Sequence, residues 1–410
     1  MHPSDCRQLE PALTTIPGVP EDPVRAFDPM VRDCVARVAQ RSACFADLAR
    51  SFPALLFAIA TGYGTAAGRA EAIAAVDAGA PLRDIARQYG LAWWLRKLPA
   101  GAFLVPLPRL PDGDDAALLL ANYVPANPRL AAGWLNRVIV AERACGGAFT
   151  PWVARHALAL PQALTQDDRF LMLAAWAWFG GASGTRGNAL LRQRWSGAMS
   201  PRKALEEMHC WRQRLALVDW LGTGLRRGWI ADGTVLGYEF RTLRCVEDFI
   251  EAGAELDNCL DQFAPHLAAA ASSIVGIRRH GRYVACIEIV PHELEVSMPT
   301  IQQLRGARNH RVTPALWQAA YAWLAADRIT PFDKVRLVVA PSARLAARRE
   351  LWAPYLAHVD GIDLTAPIRR MAGFGAARVT AGRRPGRRTE DSSARRIGAV
   401  IAGARRASAT

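Results

Sequence analysis

Several features are missing from this 410-residue sequence, and each absence removes a class of protein. The eight cysteines are Cys6, Cys34, Cys44, Cys145, Cys210, Cys245, Cys259 and Cys286. They form no Cys-x-x-Cys pair and join no histidine at zinc-finger spacing, so no metal site is expected. The opening "MHPSDCRQLEPALTTIPG" lacks the charged-then-apolar order of a secretion signal. The most apolar runs, "FPALLFAIA" and "FLMLAAWAWFGG", fall short of the roughly 18 residues that cross a bilayer. Phosphate-binding glycine loops, metal-ligand signatures and the hydrolase nucleophile elbow are absent too. What remains is a reduced, cytoplasmic protein with no membrane contact and no cofactor, whose cysteines serve as small apolar residues.

What is present begins with apolar mass. Hydrophobic residues make up 51% of the chain and charged residues only 21%, which excludes a largely disordered polymer. The length predicts two or three domains, and the abundance of Ala, Leu and Arg predicts a mainly helical fold. The net charge of +14 is uneven. Residues 373–410 hold nine arginines against Glu390 and Asp391, a balance of +7 and half of the total excess. Most come as pairs: Arg383 and Arg384, Arg387 and Arg388, Arg395 and Arg396, Arg405 and Arg406. Small and polar residues separate them, so the segment reads as a disordered basic tail. Such a tail holds DNA or RNA phosphates by counterion release without reading sequence; the alternative is a merely solvated extension.

Spacing divides the rest. Residues 1–22 read as a flexible N-terminus and 23–110 as a helical region. In "APLRDIARQYGLAWWLRKLP" two helices flank a Tyr89-Gly90 turn, superficially a helix-turn-helix. Two adjacent indoles, Trp93 and Trp94, suit a structural hairpin better than a helix that reads bases. Proline-rich "PAGAFLVPLPRLPDGDD" marks a boundary. A second helical region, 111–235, holds Trp134, Trp152, Trp176, Trp178, Trp195, Trp211, Trp220 and Trp229. Its clearest helix starts at Ser200-Pro201 and stops at Gly222. Indoles interleaved with arginines stack nucleobases in some proteins; the other reading is a core of indoles with an arginine rim.

The pattern changes in 236–372. A helical stretch ending in "EAGAELDNCLDQFAPHL" precedes strand-like runs at 273–279, 283–290 and 294–304, then a helix opened by Thr313-Pro314. "KVRLVVA" adds a further strand. The expected architecture is α+β: helical regions first, then a small antiparallel sheet flanked by helices, then the tail. His280-Gly281 forms a tight hairpin turn. Pairing Arg279 with Arg282 sets Ser273 opposite Glu288, and alternation puts Glu288 on a face with Val284 and Cys286. A carboxyl there needs a hydrogen bond or a cation, with Arg305 and Arg308 as candidate partners. Asp257 or Asn258 caps a helix that holds Cys259 in its first turn. Cys259 is then either a nucleophile or core filler on a face with Leu256, Leu260, Phe263 and Leu267.

"EAGAELDNCLDQF", "SSIVGIRR", "YVACIEI" and "IQQLRGARN" follow one another in an order that resembles the PcfJ-like family, first noted among plasmid-conjugation genes and widespread in mobile elements. The family shows a glycine step, a His-Cys or Asn-Cys pair with an aromatic four residues on, a Ser-then-Arg strand, a Glu strand and a Gln-x-Arg-Gly-x-x-Asn turn. Gly253, Asn258, Cys259, Phe263, Ser273, Arg278, Glu288, Gln303, Arg305, Gly306 and Asn309 take those places. The commoner histidine before the cysteine is Asn258 here. The resemblance covers roughly 242–325. It implies a cytoplasmic, mobile-element protein in which Asn258, Ser273, Arg278, Gln303, Arg305 and Asn309 form one polar cluster around the catalytic candidates Cys259 and Glu288.

Three functions remain open at this level. The first is a nucleic-acid-associated accessory factor of a conjugative or phage-related element, binding through the tail. The second is an enzyme that uses the Cys/Glu/Gln/Asn cluster. The third is a protein-interaction scaffold.

Overall fold

Capping residues set several helix starts in the computed structural model, which describes residues 23–160, 168–222, 230–264, 267, 272–294, 298–326, 340–361 and 364–374. The tail arginines, residues 1–22, Trp229 and all of "KVRLVVA" but its last residue lie outside those residues. Asp28 accepts a backbone N–H at the start of α1 (Pro29–Ala39), Ser42 does so for α2 (Ala43–Ser51) and Thr65 for α4 (Ala66–Asp77). Between them, α3 (Pro53–Thr61) is buried along almost its whole length and forms the axis of the first core. Among the described residues no single helix is long and apolar enough to cross a membrane.

The helix-turn-helix resemblance ends at Gly90. α5 (Leu82–Tyr89) is an α-helix, but Trp93–Lys97 is a 3-10 turn of five residues. Trp94 is buried there, and its indole N–H donates to the Pro111 carbonyl at 3.1 Å. The proline-rich segment is packed as well: Phe103, Leu107 and Leu110 belong to one apolar cluster that runs from Val24 to Ala157. That cluster extends through α6 (Asp114–Asn122) and α7 (Pro128–Ala144) to the end of α8 (Phe149–His156). The chain divides once, after Gly373. The boundary expected after residue 110 is therefore no break in packing, because prolines that interrupt a helix still bury their apolar neighbours.

Next come α9 (Arg169–Gly181), the short α10 (Arg186–Ala189) and α11 (Pro201–Leu221), which is capped by Ser200 and closed at Gly222 as its sequence predicts. The indoles of this region are used internally. Trp134, Trp152, Trp176 and Trp211 are buried, and Phe179 and Trp211 meet with ring centroids 5.4 Å apart. Arginine serves the same packing: Arg214 is buried and donates to the Leu190 carbonyl at 3.0 Å. The region is thus a core of indoles with an arginine rim.

Among the described residues five strands follow as an antiparallel meander in the order β1-β2-β3-β4-β5. They are β1 (Gly233–Val235), β2 (Tyr238–Thr242), β3 (Ser273–Arg279), β4 (Arg282–Pro291) and β5 (Pro299–Gly306). β1 and β2 fall partly where the sequence reads as helix. Their two-residue turn, Leu236-Gly237, has positive φ at both positions, as does His280-Gly281 between β3 and β4. α12 (Val246–Leu256) lies between β2 and β3, its start fixed by Asp248, whose Oδ2 accepts from the Arg244 and Cys245 N–H groups. α13 (Pro314–Ala325) follows the sheet, capped by Thr313. α14 (Pro341–His358) and α15 (Thr365–Met371) close the described chain, and Tyr355 of α14 donates to the Ala144 carbonyl of α7 at 3.0 Å. The whole is mainly helical α+β, with the small sheet flanked by helices as the sequence predicts.

Two irregularities decide which side chains share a face. Arg279 pairs with Arg282 as expected, but the pairing slips by one between Ile277 and Arg278. Ser273 therefore lies opposite Ile289, and Ile274 takes the place opposite Glu288. A second slip, in β4 and β5, keeps Glu288 opposite Gln303 but sets Ile289 opposite Ile301. Each extra residue is a β-bulge, which reverses the inward and outward assignment beyond it. Val284 is turned to the α13 side, where it packs on the core of Val275, Ile277, Ala285 and Ile287.

Candidate functional site

The α12 side of the sheet carries the polar groups. Gly276, Cys286 and Arg305 lie abreast across β3, β4 and β5, and Ile274, Glu288 and Gln303 form the next row. α12 stops at Leu256 because Asp257 adopts a left-handed conformation (φ 47°), and the N–H of Asn258 bonds back to the Gly253 carbonyl at 3.2 Å. The chain is thereby turned over the second row of the sheet. A 3-10 turn, Leu260–Phe263, continues it.

A cavity of about 540 Å³ opens between this turn and the strands. Its polar lining is Asn258, Cys259, Glu288, Gln303, Arg305 and Asn309, with Leu260, Phe263 and Ile274 among the apolar residues. Four separate segments therefore bring together six of the eight residues expected in or around the cluster. Ser273 and Arg278 do not line it. Ser273 is buried one position out of the expected register. Arg278 stays on the α12 side but pairs with Glu251 at 2.7 Å and lies 4.1 Å above the Tyr283 ring.

Glu288 is buried, and Gln303 donates to its Oε2 at 2.7 Å. The hydrogen bond that a buried carboxyl requires thus comes from the amide directly across the strand. The candidate cations have other places. Arg308 pairs with Asp257 at 3.0 Å on the exposed surface, and Arg305, exposed and opposite Cys286, has no ion pair among the described residues. Gly306 ends the strand, and the chain reverses through Arg308 and Asn309, both at positive φ (53° and 58°). Asn309 is so brought to the rim.

Cys259 occupies neither of the places expected for it. It precedes the 3-10 turn rather than sitting inside a helix, so no helix N-terminus acts on its sulfur, and it is exposed rather than core. The buried positions on that side are Leu256 and Leu260. Cys286, a few residues from Glu288 and not singled out as a site residue, is the thiol enclosed by the site. Burial first, then the charge of Glu288, pushes its pKa up to about 11, against the opposing Asn258 hydrogen bond. Asn258 Nδ2 donates to Cys286 Sγ at 3.7 Å, and its buried Oδ1 has no partner. Alternation backwards from Glu288 already places Cys286 on this face. The Asn258 contact has no counterpart in local sequence, because 28 residues separate the two.

Among the described residues no histidine lines the cavity, and no group of three or more potential metal ligands exists. What the site offers is hydrogen bonding: amides, a carboxyl and a guanidinium around an apolar floor. Fold and site together define an α+β protein whose antiparallel meander is closed on one face and carries an open polar pocket on the other. No protein-family model, no curated protein and no solved structure matches the chain.

Proposed function

We propose that this chain is a PcfJ-like, nucleic-acid-associated accessory factor of a mobile genetic element, conjugative or phage-related, acting in the cytoplasm. In this reading the arginine pairs of residues 383–406 hold phosphates, and the pocket beside Cys259 binds a ligand without covalent chemistry. One observation carries the binding role. Asn258, Glu288, Gln303, Arg305 and Asn309 converge on an opening of about 540 Å³, within the range of about 300–1,000 Å³ common for ligand sites.

An enzymatic reading has one observation in its favour, the exposed Cys259 thiol at the same opening. Among the described lining residues no histidine stands beside that thiol, and the neighbouring Asn258 amide donates to Cys286.

The tail is tested in the full-length chain by replacing its eight paired arginines with glutamine. Retention on single-stranded DNA or RNA at low salt is expected to fall by at least about a hundredfold, and the salt dependence of binding to flatten. Unchanged affinity with an unchanged salt slope would overturn the tail's role.

A further inference from the structure

A second hollow, of about 840 Å³, lies in the first helical region, between the end of α2, the 3-10 turn Trp93–Lys97 and the link from α6 to α7. Arg50, Arg96 and Lys97 line it, and among the described residues no carboxylate does. Arginines elsewhere on the surface meet an acid: Arg41 pairs with Asp77 at 3.1 Å, Arg202 with Glu206 at 2.9 Å and Arg308 with Asp257 at 3.0 Å. Arg50 and Arg96 are exposed and have no ion pair among the described residues. Arg96 rests on the Trp93 ring, its guanidinium 4.6 Å from the centroid, a contact that leaves its N–H edge free. Lys97 gives one N–H to the Ala121 carbonyl at 3.4 Å and keeps two. Like charges gathered round one hollow repel, and an anion placed there relieves the repulsion.

The rest of the wall selects the kind of anion. Pro53, Pro99, Pro125 and Pro128 line it, and proline has no N–H to donate. An acidic peptide brings main-chain N–H and C=O groups that each require a partner, and this wall offers them few. A phosphodiester backbone presents acceptors alone on its charged edge, which the three cations satisfy, and sugar faces that pack on Leu98, Ala100 and Val124. Among the described residues no aromatic ring and no side-chain amide lines the hollow, so bases find nothing to stack on and no partner for their edges. We infer that this hollow holds the phosphate backbone of a single-stranded nucleic acid without reading its sequence. A single strand bends into a hollow, whereas a duplex, stiff over about 150 base pairs, meets only the rim. The inference rests on the nucleic-acid reading above, but the contact is made by the folded region and does not use the tail.

The test uses the full-length chain with its eight paired tail arginines replaced by glutamine, and follows the fluorescence anisotropy of a labelled oligo-dT over a series of salt concentrations. Weaker, salt-dependent binding is expected to remain. Arg50→Gln, Arg96→Gln and Lys97→Gln together should lower that affinity at least about tenfold at low salt. They should also reduce the slope of log affinity against log salt by about 2, from three phosphates at roughly 0.7 each. Arg50→Gln alone, at an exposed position, should reduce the slope by about 0.7, and it decides the case in which the triple variant unfolds. Arg50→Lys with Arg96→Lys keeps the charge and should keep the slope. Unchanged affinity and slope in the triple variant overturn the assignment, and so does equal binding of a duplex of the same length. Displacement of the strand by polyglutamate of equal charge at equal concentration overturns it as well, and makes the hollow an acidic-peptide site. Complete loss of binding once the tail is neutralised also overturns it while leaving the tail's role standing; the tail's role fails instead if neutralising it changes nothing.

Discussion

On the α13 side of the sheet, Val275, Ile277, Ala285, Ile287 and Leu304 meet Leu316, Ala319, Ala320 and Trp323, and Phe240 stacks on Trp323 with centroids 4.8 Å apart. On the α12 side the same strands present Arg278, Cys286, Glu288, Gln303 and Arg305. One sheet thus has a dry face and a wet one, and the difference lies in the layer that covers each. α13 runs twelve residues against the first face, with its buried positions directed to the strands. α12 ends at Leu256, and the chain then turns through Asn258 and Cys259 above the row that holds Glu288. Where a helix covers strands from end to end, only apolar side chains satisfy the face. Where the helix stops early, the row beyond it carries polar groups that hydrogen-bond one another beside an opening.

The comparison breaks first on its dry side. Phe240→Ala removes a fully buried ring from the α13 face, and a loss of about 4 kcal/mol of stability is expected in denaturant unfolding. A loss near zero would mean that the stacked pair does not anchor this layer.

Two buried carboxyls sharpen the contrast. Glu207, on α11, is held by Arg192 at 2.6 Å and Lys203 at 2.8 Å, whereas Glu288 is held by an amide. Burial pushes the Glu207 carboxyl upward, but hydrogen bonds and charge from Arg192 and Lys203 outweigh it, and its pKa lies below the usual value. A depressed folded-state pKa contributes stability that is complete above the unfolded value of about 4.3 and is lost as pH falls through the folded value. Glu207→Ala is expected to cost about 3 kcal/mol at neutral pH. Urea unfolding of both proteins between neutral and strongly acid pH should show the gap closing in acid; a gap constant with pH would assign the loss to packing alone.

The smallest effect belongs to the wet side. A Cβ at Gly276 would overlap the Tyr283 ring and touch Leu243. Gly276→Ala should therefore cost about 2 kcal/mol by overpacking. Because Tyr283 carries Arg278 above its ring, the substitution should also move the Tyr283 ring resonances in an NMR spectrum. Wild-type stability and unmoved resonances would show that this face yields more easily than the α13 face.

Local rules account for the parts of this protein that its sequence makes legible. Ser200 and Thr313 carry hydroxyls where a helix begins, and His280-Gly281 tolerates positive φ where a hairpin must turn. The order of Asn258, Cys259, Glu288, Gln303, Arg305 and Asn309 confines the candidate site to one short region, and the cavity gathers these residues. β1 and β2 escape a reading by pattern although Phe240 and Thr242 alternate inward, because two buried positions are too few to separate a strand from a helix. Counting from the hairpin sets Ser273 opposite Glu288, and the bulge between Ile277 and Arg278 cancels that count.

Adjacent side chains are thus enough to specify a mainly helical α+β protein, its helix caps, one hairpin and the neighbourhood of the polar residues. Packing between distant segments settles the rest: Val284 turns inward, Gln303 donates to Glu288, Arg278 serves Glu251, and Cys259 stands exposed while Cys286 is enclosed. Those outcomes depend on strand register and on which helix covers which row. Burial is set by groups distant in sequence, so no local pattern carries it.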